Sequence, residues 1–277
     1  MSEAEFQRYL REIERLRPVG TGTGAGRGPE NLIVLERVAS TNGLARSIAV
    51  EYEKEGQDLE PLLILAFEQS GGRGRQGRQW MSPRGQGVYA TRVLSVTDPE
   101  MLQTLPLLVG VGLCRALGAH LGSPCRLKWP NDLLVETGGG RRKIGGILIE
   151  ALVRPGEGAA AFIGFGVNHG HSVEVLPTGA TSLHLERAGQ AAGAGLEALT
   201  WDLVAGLEAE LSHLGDVGYA VNSYRSWSVH QPGERLTCRV GDSVAEGTFA
   251  GFDDAGRLLL RTSEGEVRLS AGEVIEP

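Results

Sequence analysis

Residues 61–80 read PLLILAFEQSGGRGRQGRQW. The first half is a short apolar run that starts at a proline, which predicts a buried β-strand over residues 61–69. The second half, residues 68–80, carries three arginines among glycines and ends on a tryptophan. Arginine presents planar bidentate donors to phosphate and carboxylate groups, and glycine lets the backbone approach a ligand closely. This stretch therefore predicts a sheet strand that leads into an anion-binding loop.

On its own, the loop at 68–80 has two other interpretations, a solvated basic turn and a short RGG-like RNA-binding segment. The charge of the whole chain weakens the second. The sequence has 27 Lys and Arg against 34 Asp and Glu, a net charge of −7. General nucleic-acid binding depends on neutralising many phosphates, to which an acidic protein is poorly suited. The arginine cluster is therefore a local feature that needs its own explanation.

Composition sets the broad class of the protein. The chain has 277 residues, of which 41% are hydrophobic and 22% charged, typical of one large globular domain or a medium domain plus a small one. Cys114, Cys125 and Cys238 are widely spaced and form no Cys-x-x-Cys pair, which favours free thiols over a zinc site or disulfide framework. No signal peptide is recognisable, and no run approaches the ~20 apolar residues of a membrane span. These features predict a cytoplasmic protein without membrane association.

Hydrophobic periodicity and turn residues predict the order of elements along the chain. Before the loop they predict a helix over 3–17, a Gly-rich linker over 18–30, a strand over 31–38 and a helix capped by Ser40-Thr41-Asn42. After the loop they predict a strand over 87–96, an apolar helix over 100–121 that Pro106 kinks or shortens, a hairpin of 126–136 with 143–153, a strand over 159–168, and helices over 195–214 and 217–228.

The character of the sequence changes after Pro232. The remaining segment, roughly 45 residues, alternates short strands with Gly and Asp turns, which suits a small five-stranded barrel. So small a core is marginal alone, so we expect it to pack on the main domain. The predicted organisation is an N-terminal helix and linker over 1–30, a main domain over 31–230 and a barrel over 231–277.

Three further motifs carry ligand chemistry. The turn Lys128-Trp-Pro-Asn-Asp132 offers a lysine for phosphate, with Asn131 and Asp132 as oxygen ligands suited to Mg²⁺, although Pro-Asn-Asp is also a common turn sequence. Lys143 stands at the start of an apolar strand that contains two glycines. Burying its charge there is costly unless the lysine meets an anion, and the alternative is that it points outward at the end of the hairpin. Asn168 ends the strand Gly-Phe-Gly-Val-Asn, where it could read an adenine edge or simply occupy a turn.

The order of these motifs resembles that of the biotin–protein ligases, over roughly residues 31–277. The motifs are Ser-Thr-Asn at 40–42, Gln-x-x-Gly-Arg-Gly-Arg-x-Gly-Arg-x-Trp at 69–80, Lys-Trp-Pro-Asn-Asp-Leu at 128–133, Lys-Ile-Gly-Gly-Ile-Leu-Ile-Glu at 143–150, Gly-Phe-Gly-x-Asn at 164–168 and Ala-Thr-Ser-Leu at 180–183. The resemblance implies an α+β fold: a mixed sheet with helices packed on one side, similar to the class II synthetase core, followed by an SH3-like barrel.

The resemblance also implies an activity. Such enzymes activate biotin with ATP as biotinyl-5′-AMP, release pyrophosphate, and transfer biotin to one lysine of a carboxylase's biotin carboxyl carrier domain. Because water would destroy the adenylate, a lid must exclude solvent. We expect the glycines to leave residues 71–78 mobile when the site is empty, and the arginines to let ligands order them.

Site residues follow from the resemblance, residue by residue. The catalytic group is Lys143, Arg73, Arg75 and Asp132, with Asp132 expected to accept or orient the proton of the acceptor lysine. The biotin-binding group is Ser40, Thr41, Asn42, Gln69, Gly72, Arg73, Gly74, Arg75, Lys143 and Gly146. The ATP-binding group is Arg75, Arg78, Trp80, Lys128, Asn131, Lys143 and Asn168, with Asn131 also expected at Mg²⁺.

Two other function classes remain open at this point. One is a related ligase acting on lipoate or octanoate, and the other is a non-catalytic binding protein such as a corepressor. Some family members repress genes through an N-terminal winged helix-turn-helix, which needs ~60 residues, whereas about 30 precede the main domain here. We therefore expect no DNA binding. Family members also dimerise through the catalytic sheet, so a homodimer is a further expectation.

Overall fold

The computed structural model describes residues 3–18, 31–57, 59–154, 156, 158–187 and 195–275. The predicted Gly-rich linker lies outside the described residues, apart from Pro18. Within the described part, twelve strands and six α-helices form a mixed α+β architecture. The expected fold class is thus confirmed at this level.

Seven strands form the main sheet, in the order β1-β2-β3-β7-β6-β5-β4. The β1–β2 pair is parallel and all other pairs are antiparallel. The β5–β6 pair corresponds to the predicted hairpin of 126–136 with 143–153, but the first segment is divided into two strands, β4 and β5. The strands are β1 (Asn31–Leu35), β2 (Leu62–Ala66), β3 (Gly87–Val96), β4 (Cys125–Lys128), β5 (Asp132–Thr137), β6 (Gly140–Arg154) and β7 (Gly158–Asn168).

The helices are α1 (Glu3–Leu16), α2 (Thr41–Lys54), α3 (Leu105–Gly118), α4 (Leu183–Glu186), α5 (Leu196–Leu211) and α6 (Val217–Trp227). The helix predicted over 100–121 is divided. A 3-10 turn covers Pro99–Gln103, and α3 begins after it with Pro106 in its first turn. Proline is tolerated there because the first N–H groups of a helix lack intrahelical partners.

Helices cover both faces of the main sheet, so the expectation that they pack on one side is wrong. On one face, α2 buries Ala45 and Ala49 in a cluster with Ile64. On the other, residues of α1, α3, α5 and α6 share a cluster with Leu63 and Leu65. Successive strand residues point to opposite faces, so β2, buried at all five positions, requires a cover on each side. A continuous apolar strand is the sequence signal for that arrangement.

Helix α1 belongs to the core. Its ring residues Phe6 and Tyr9 lie 5.8 and 5.0 Å, centroid to centroid, from Phe67. Trp201 Nε1 in α5 donates to the Ile13 carbonyl at 2.9 Å. Its buried residues are Phe6, Tyr9 and Ile13. Within the described ranges, none of the helices has the length and apolar character needed to cross a membrane.

The C-terminal strands form a five-stranded antiparallel sheet in the order β11-β10-β9-β8-β12. It packs on the main core as expected: Tyr224 and Phe252 make an edge contact at 5.2 Å, and Arg225 donates to the Phe252 carbonyl at 3.3 Å. No pairing between β11 and β12 is found among the described residues. The strands are β8 (Arg235–Val240), β9 (Ser243–Phe252), β10 (Leu258–Thr262), β11 (Gly265–Leu269) and β12 (Glu273–Ile275).

Candidate functional site

A cleft opens on the sheet face that α2 covers only in part. Loop 68–80, β6, β7 and C-terminal residues 272–273 line it, and its volume of about 1310 Å³ includes space open to solvent. With the exception of Gly72, every predicted site residue lines this cleft: Ser40, Thr41, Asn42, Gln69, Arg73, Gly74, Arg75, Arg78, Trp80, Lys128, Asn131, Asp132, Lys143, Gly146 and Asn168.

The floor of the cleft depends on glycines of β7. A Cβ at Gly166 would lie 2.4 Å from Trp80 Nε1, and one at Gly164 would lie 2.3 Å from Asn42 Oδ1. Only hydrogen at these two positions lets the indole ring and the amide lie against the strand. Trp80 Nε1 is buried without a hydrogen-bond partner in the part of the chain that the structure describes. The Gly-x-Gly pattern is therefore explained by two close approaches of side chain to backbone.

One end of the cleft is a network of uncharged polar groups at the start of α2. Ser40 caps the helix, its Oγ accepting from the Gly43 amide at 3.3 Å. The Thr41 amide and hydroxyl both donate to Gln69 Oε1, at 2.8 and 3.2 Å. Gly72 lies behind this network, since a Cβ there would be 2.5 Å from the Trp80 carbonyl oxygen. Gly72 thus allows the close packing of the loop backbone and does not line the cleft.

Asn42 links the same end to β6 and to the arginine loop. Its Nδ2 donates to Glu150 Oε2 at 2.8 Å and to the Leu148 carbonyl at 3.1 Å, and the Thr91 hydroxyl donates to its Oδ1 at 2.6 Å. Arg73 donates from Nη2 to the same Glu150 oxygen at 3.2 Å. Glu150 was not singled out as a site residue from the sequence, although it ends the quoted Lys-Ile-Gly-Gly-Ile-Leu-Ile-Glu motif.

The other end of the cleft carries an ion pair between two predicted catalytic residues. Lys143 Nζ lies 2.6 Å from Asp132 Oδ1 and 5.6 Å from the centroid of the Trp80 ring. Asp132 pairs in register with Gly146, which is four residues from Glu150 along β6. At about 3.3 Å per residue, the Lys143–Asp132 and Arg73–Glu150 pairs are about 13 Å apart along the strand.

The arginine loop is attached to the C-terminal sheet. Arg75 Nη1 donates to Asn131 Oδ1 at 3.2 Å and to the Gly272 carbonyl at 3.0 Å. Arg78 pairs with Glu273 through both guanidinium nitrogens, one contact being 2.6 Å. Burial lowers the pKa of Arg75, whereas the hydrogen bond from Arg78 lowers the pKa of Glu273. Gly272 and Glu273 are site residues that local sequence patterns did not identify.

The loop itself is a tight hairpin. Residues 75–77 form a 3-10 turn in which Gln76 and Gly77 have φ values of 55° and 73°. The Gly74 amide donates to the Arg78 carbonyl at 2.7 Å. Together with the arginine contacts, this geometry fixes the loop in the lining of the cleft and against the C-terminal sheet. The predicted mobility of residues 71–78 in the empty protein stays a prediction.

Asn168 holds the segment that follows β7. Its Nδ2 donates to the Thr181 carbonyl at 2.9 Å, and the residue is buried. The Thr181 amide in turn donates to the Lys143 carbonyl at 2.8 Å. The segment Ala-Thr-Ser-Leu at 180–183 is thereby fixed beside the lysine.

Oxygen ligands for a metal are few. No group of three or more His, Cys, Asp or Glu side chains that could hold a metal occurs in the described ranges. At the charged end, Asn131 Oδ1 and the Asp132 carboxylate line the cleft. This set fits Mg²⁺, which takes one or two protein oxygens and completes its shell with phosphate and water.

Comparison with known proteins gives consistent matches. Residues 34–168 match the Biotin/lipoate A/B protein ligase family, and residues 233–275 match the Biotin protein ligase C terminal domain. A biotin–[acetyl-CoA-carboxylase] ligase of Paracoccus denitrificans is 32% identical over 250 residues, covering 87% of this chain and 98% of that protein. One of Mycobacterium tuberculosis is 30% identical over 261 residues, 91% of each chain. The structure of the Aquifex aeolicus biotin protein ligase in complex with biotin and ATP is similar with a TM-score of 0.67 and 25% identity, covering 89% of this chain and 98% of that one.

Proposed function

The chain belongs to the biotin protein ligase family, and we propose that the cleft beneath the arginine loop is where it joins biotin to ATP. The protein is an ATP-dependent ligase that activates biotin as biotinyl-5′-AMP and transfers it to a lysine of a carboxylase's biotin carboxyl carrier domain. The observation that carries the placement is the polarity of the cleft: hydroxyl and amide groups of Ser40, Thr41 and Gln69 lie at one end, and Lys143 lies at the other, about 13 Å along the strand.

The uncharged end suits the ureido ring of biotin. A ureido group has one carbonyl acceptor and two N–H donors, so it needs partners of both kinds. Ser40, Thr41, Asn42 and Gln69 supply hydroxyl and amide groups that lie on one short network. In this orientation the carboxylate tail of biotin points along the strand towards Lys143.

The charged end suits the first chemical step. A carboxylate oxygen of biotin attacks the α-phosphorus of ATP, and pyrophosphate leaves with the electrons of the broken P–O bond. Because the attacking acid is already ionised, the step needs positioning and stabilisation of phosphoryl charge rather than a general base. Lys143 and Arg75 lie where they supply that charge, with Gly74 on the loop and Gly146 on the floor completing the wall. Arg73 lies at the other end of the cleft, beside Glu150.

ATP is assigned to the adjoining part of the cleft. The Trp80 ring offers a surface on which the adenine can stack. Asn168 lies beside it at the end of β7, where its amide nitrogen already donates a hydrogen bond to the Thr181 carbonyl. Arg78 and Lys128 lie on the triphosphate side. Asn131 and Asp132 would hold Mg²⁺, which would supply neutralisation of phosphate charge.

In the transfer step the neutral amine of the acceptor lysine attacks the acyl carbon of the adenylate, and AMP leaves. Asp132 is our candidate to accept or orient the amine proton. Its contact with Lys143 at 2.6 Å supports this, because displacement of Lys143 towards phosphate would free the carboxylate.

Several finer assignments are part of the proposal. We assign the main sheet to a class II synthetase-like core over residues 31–230 and the C-terminal sheet to an SH3-like unit over 231–277, after an N-terminal segment over 1–30. That the ligase does not bind DNA stays a prediction. Three buried free thiols support a cytoplasmic location. Homodimerisation through the main sheet is proposed from the family alone.

Transfer to the acceptor tests the proposed function. The protein is incubated with biotin, ATP, Mg²⁺ and a purified biotin carboxyl carrier domain, and the acceptor is analysed by intact mass. We expect one biotinyl group per acceptor, and none on an acceptor whose target lysine is replaced by arginine. Unmodified acceptor in the complete reaction would contradict the proposal.

A further inference from the structure

Glu150 joins two segments that are distant in the sequence. One carboxylate oxygen, Oε2, accepts from Asn42 at the start of α2 and from Arg73 in the loop. The residue stands on the cleft face of β6, four positions from Gly146. It therefore connects the sheet to both walls of the uncharged end.

Arg73 is far from the reacting groups in this arrangement. Its guanidinium lies at Glu150 and 3.9 Å from the Cβ position of Gly43 in α2, about 13 Å along β6 from the Lys143–Asp132 pair. Arg73 carries a positive charge at an end of the cleft that is otherwise built largely from hydroxyl and amide groups. The carboxylate of Glu150 neutralises it.

Arg73 is also well placed to hold the loop. Its sequence neighbours, Gly72 and Gly74, have no side chains with which to anchor the backbone. At the other side of the loop, Arg75 and Arg78 attach to the C-terminal sheet. Through its contact with Glu150, the Arg73 side chain thus attaches the first half of the loop to the main sheet.

We propose that Glu150 is a positioning residue for biotin binding, which acts through Arg73 and Asn42 at the ureido end. This inference rests on the proposed function. Arg73 serves as an anchor in it, and the transition-state charge is left to Lys143 and Arg75. The prediction is a change in biotin affinity that leaves the chemical step unaffected.

The test compares four variants by biotin-dependent exchange of labelled pyrophosphate into ATP. Glu150→Gln keeps an acceptor for the Asn42 amide and removes only the charge opposite Arg73. Arg73→Gln removes the partner charge, and the double variant removes both. Glu51→Gln is the matched control, because it removes a carboxylate from an exposed ion pair with Lys54 on α2.

Glu150 and Arg73 are both partly exposed, with 28% and 45% of their side-chain surface accessible, so the loss of their pair is expected to raise the KM for biotin about two- to fivefold. In Glu150→Gln the KM for ATP, the maximal exchange rate and the thermal midpoint should match wild type. The double variant should equal the single variants, because each removes the same interaction. The control should behave as wild type.

Three results would overturn the inference. One is an unchanged KM for biotin in Glu150→Gln. Another is additive effects in the double variant, which would mean that the two residues act independently. The third is a large loss of maximal rate in Arg73→Gln alone, which would place Arg73 at the reacting phosphate. Absence of exchange in the wild-type protein would instead refute the proposed function itself.

Discussion

Arg75→Ala tests whether the arginine loop retains the adenylate. The guanidinium is half-buried and bridges three parts of the protein, the loop, the Asn131 side chain at 3.2 Å and the Gly272 carbonyl at 3.0 Å. Release of biotinyl-5′-AMP requires the loop to open, and opening breaks these hydrogen bonds. Alanine removes them in advance, so the loop opens more easily while the fold is retained.

The magnitude follows from the kind of bond lost. Hydrogen bonds to a charged group contribute about 1.5–3 kcal/mol, which corresponds to about ten- to hundredfold faster release at 1.4 kcal/mol per decade. The more exposed Arg78–Glu273 pair contributes about 0.2–1 kcal/mol, so Arg78→Ala should accelerate release by no more than about fivefold.

The assay loads each variant with labelled adenylate from biotin and ATP, then follows loss of bound label after dilution into excess unlabelled biotin. Wild type should be slowest and Arg75→Ala fastest, with Arg78→Ala between them. Release from Arg75→Ala at the wild-type rate would refute the loop as the retaining element. Equal acceleration in both variants would contradict the ranking by burial.

Three further predictions concern other parts of the site. Lys143→Ala should lower the maximal pyrophosphate-release rate by more than about a hundredfold while ATP affinity changes far less; an unchanged rate would exclude a role in adenylation. Gly166→Ala introduces a Cβ 2.4 Å from Trp80 Nε1, so the displaced ring should raise the KM for ATP about tenfold and leave that for biotin near wild type; normal ATP affinity would remove Trp80 from the adenine site. Glu273→Gln should reduce the free energy of unfolding by up to about 1 kcal/mol at pH 7. Because Arg78 lowers the pKa of Glu273 below its ordinary 4.5, this contribution is present above pH 4.5 and disappears as pH falls through the lowered pKa. Urea unfolding at neutral and acidic pH measures it, and a difference that persists in acid would contradict the ion pair.

The features that could be predicted from the sequence are local ones. The strand β2, the cap at Ser40 and the β5–β6 hairpin follow from apolar runs, capping residues and turn glycines within a few positions. The loop arginines follow in the same way, since their density among glycines is visible directly. The roles of the site residues came from the family resemblance, and the fold brings all of these residues except Gly72 to the lining of one cleft.

Long-range contacts could not be predicted in this way. Arg73 meets a carboxylate 77 positions later in the chain, and Arg78 meets one 195 positions later. The residues around Glu150 and Glu273 are those of ordinary strands, so they do not indicate that either carboxylate pairs with a loop arginine. Their roles arise from the register of β6 and from the docking of the C-terminal sheet, which depend on tertiary packing.

The two-sided cover of the sheet was missed for a different reason. The signal was present in Leu62–Ala66, a run with no polar position, and such a run indicates a strand buried on both faces. The family resemblance suggested helices on one side and outweighed it. The apolar run was the better guide to the cover of the sheet.

Biotin-dependent exchange of labelled pyrophosphate into ATP tests the central claim most directly. The reaction is run with Mg²⁺ and with biotin, lipoate or octanoate in parallel, and a reaction without acid is the blank. We predict exchange with biotin alone, which would establish the adenylate and the acid together. Exchange with lipoate or octanoate instead of biotin would contradict the assigned substrate, and no exchange with any acid would contradict adenylation in this cleft.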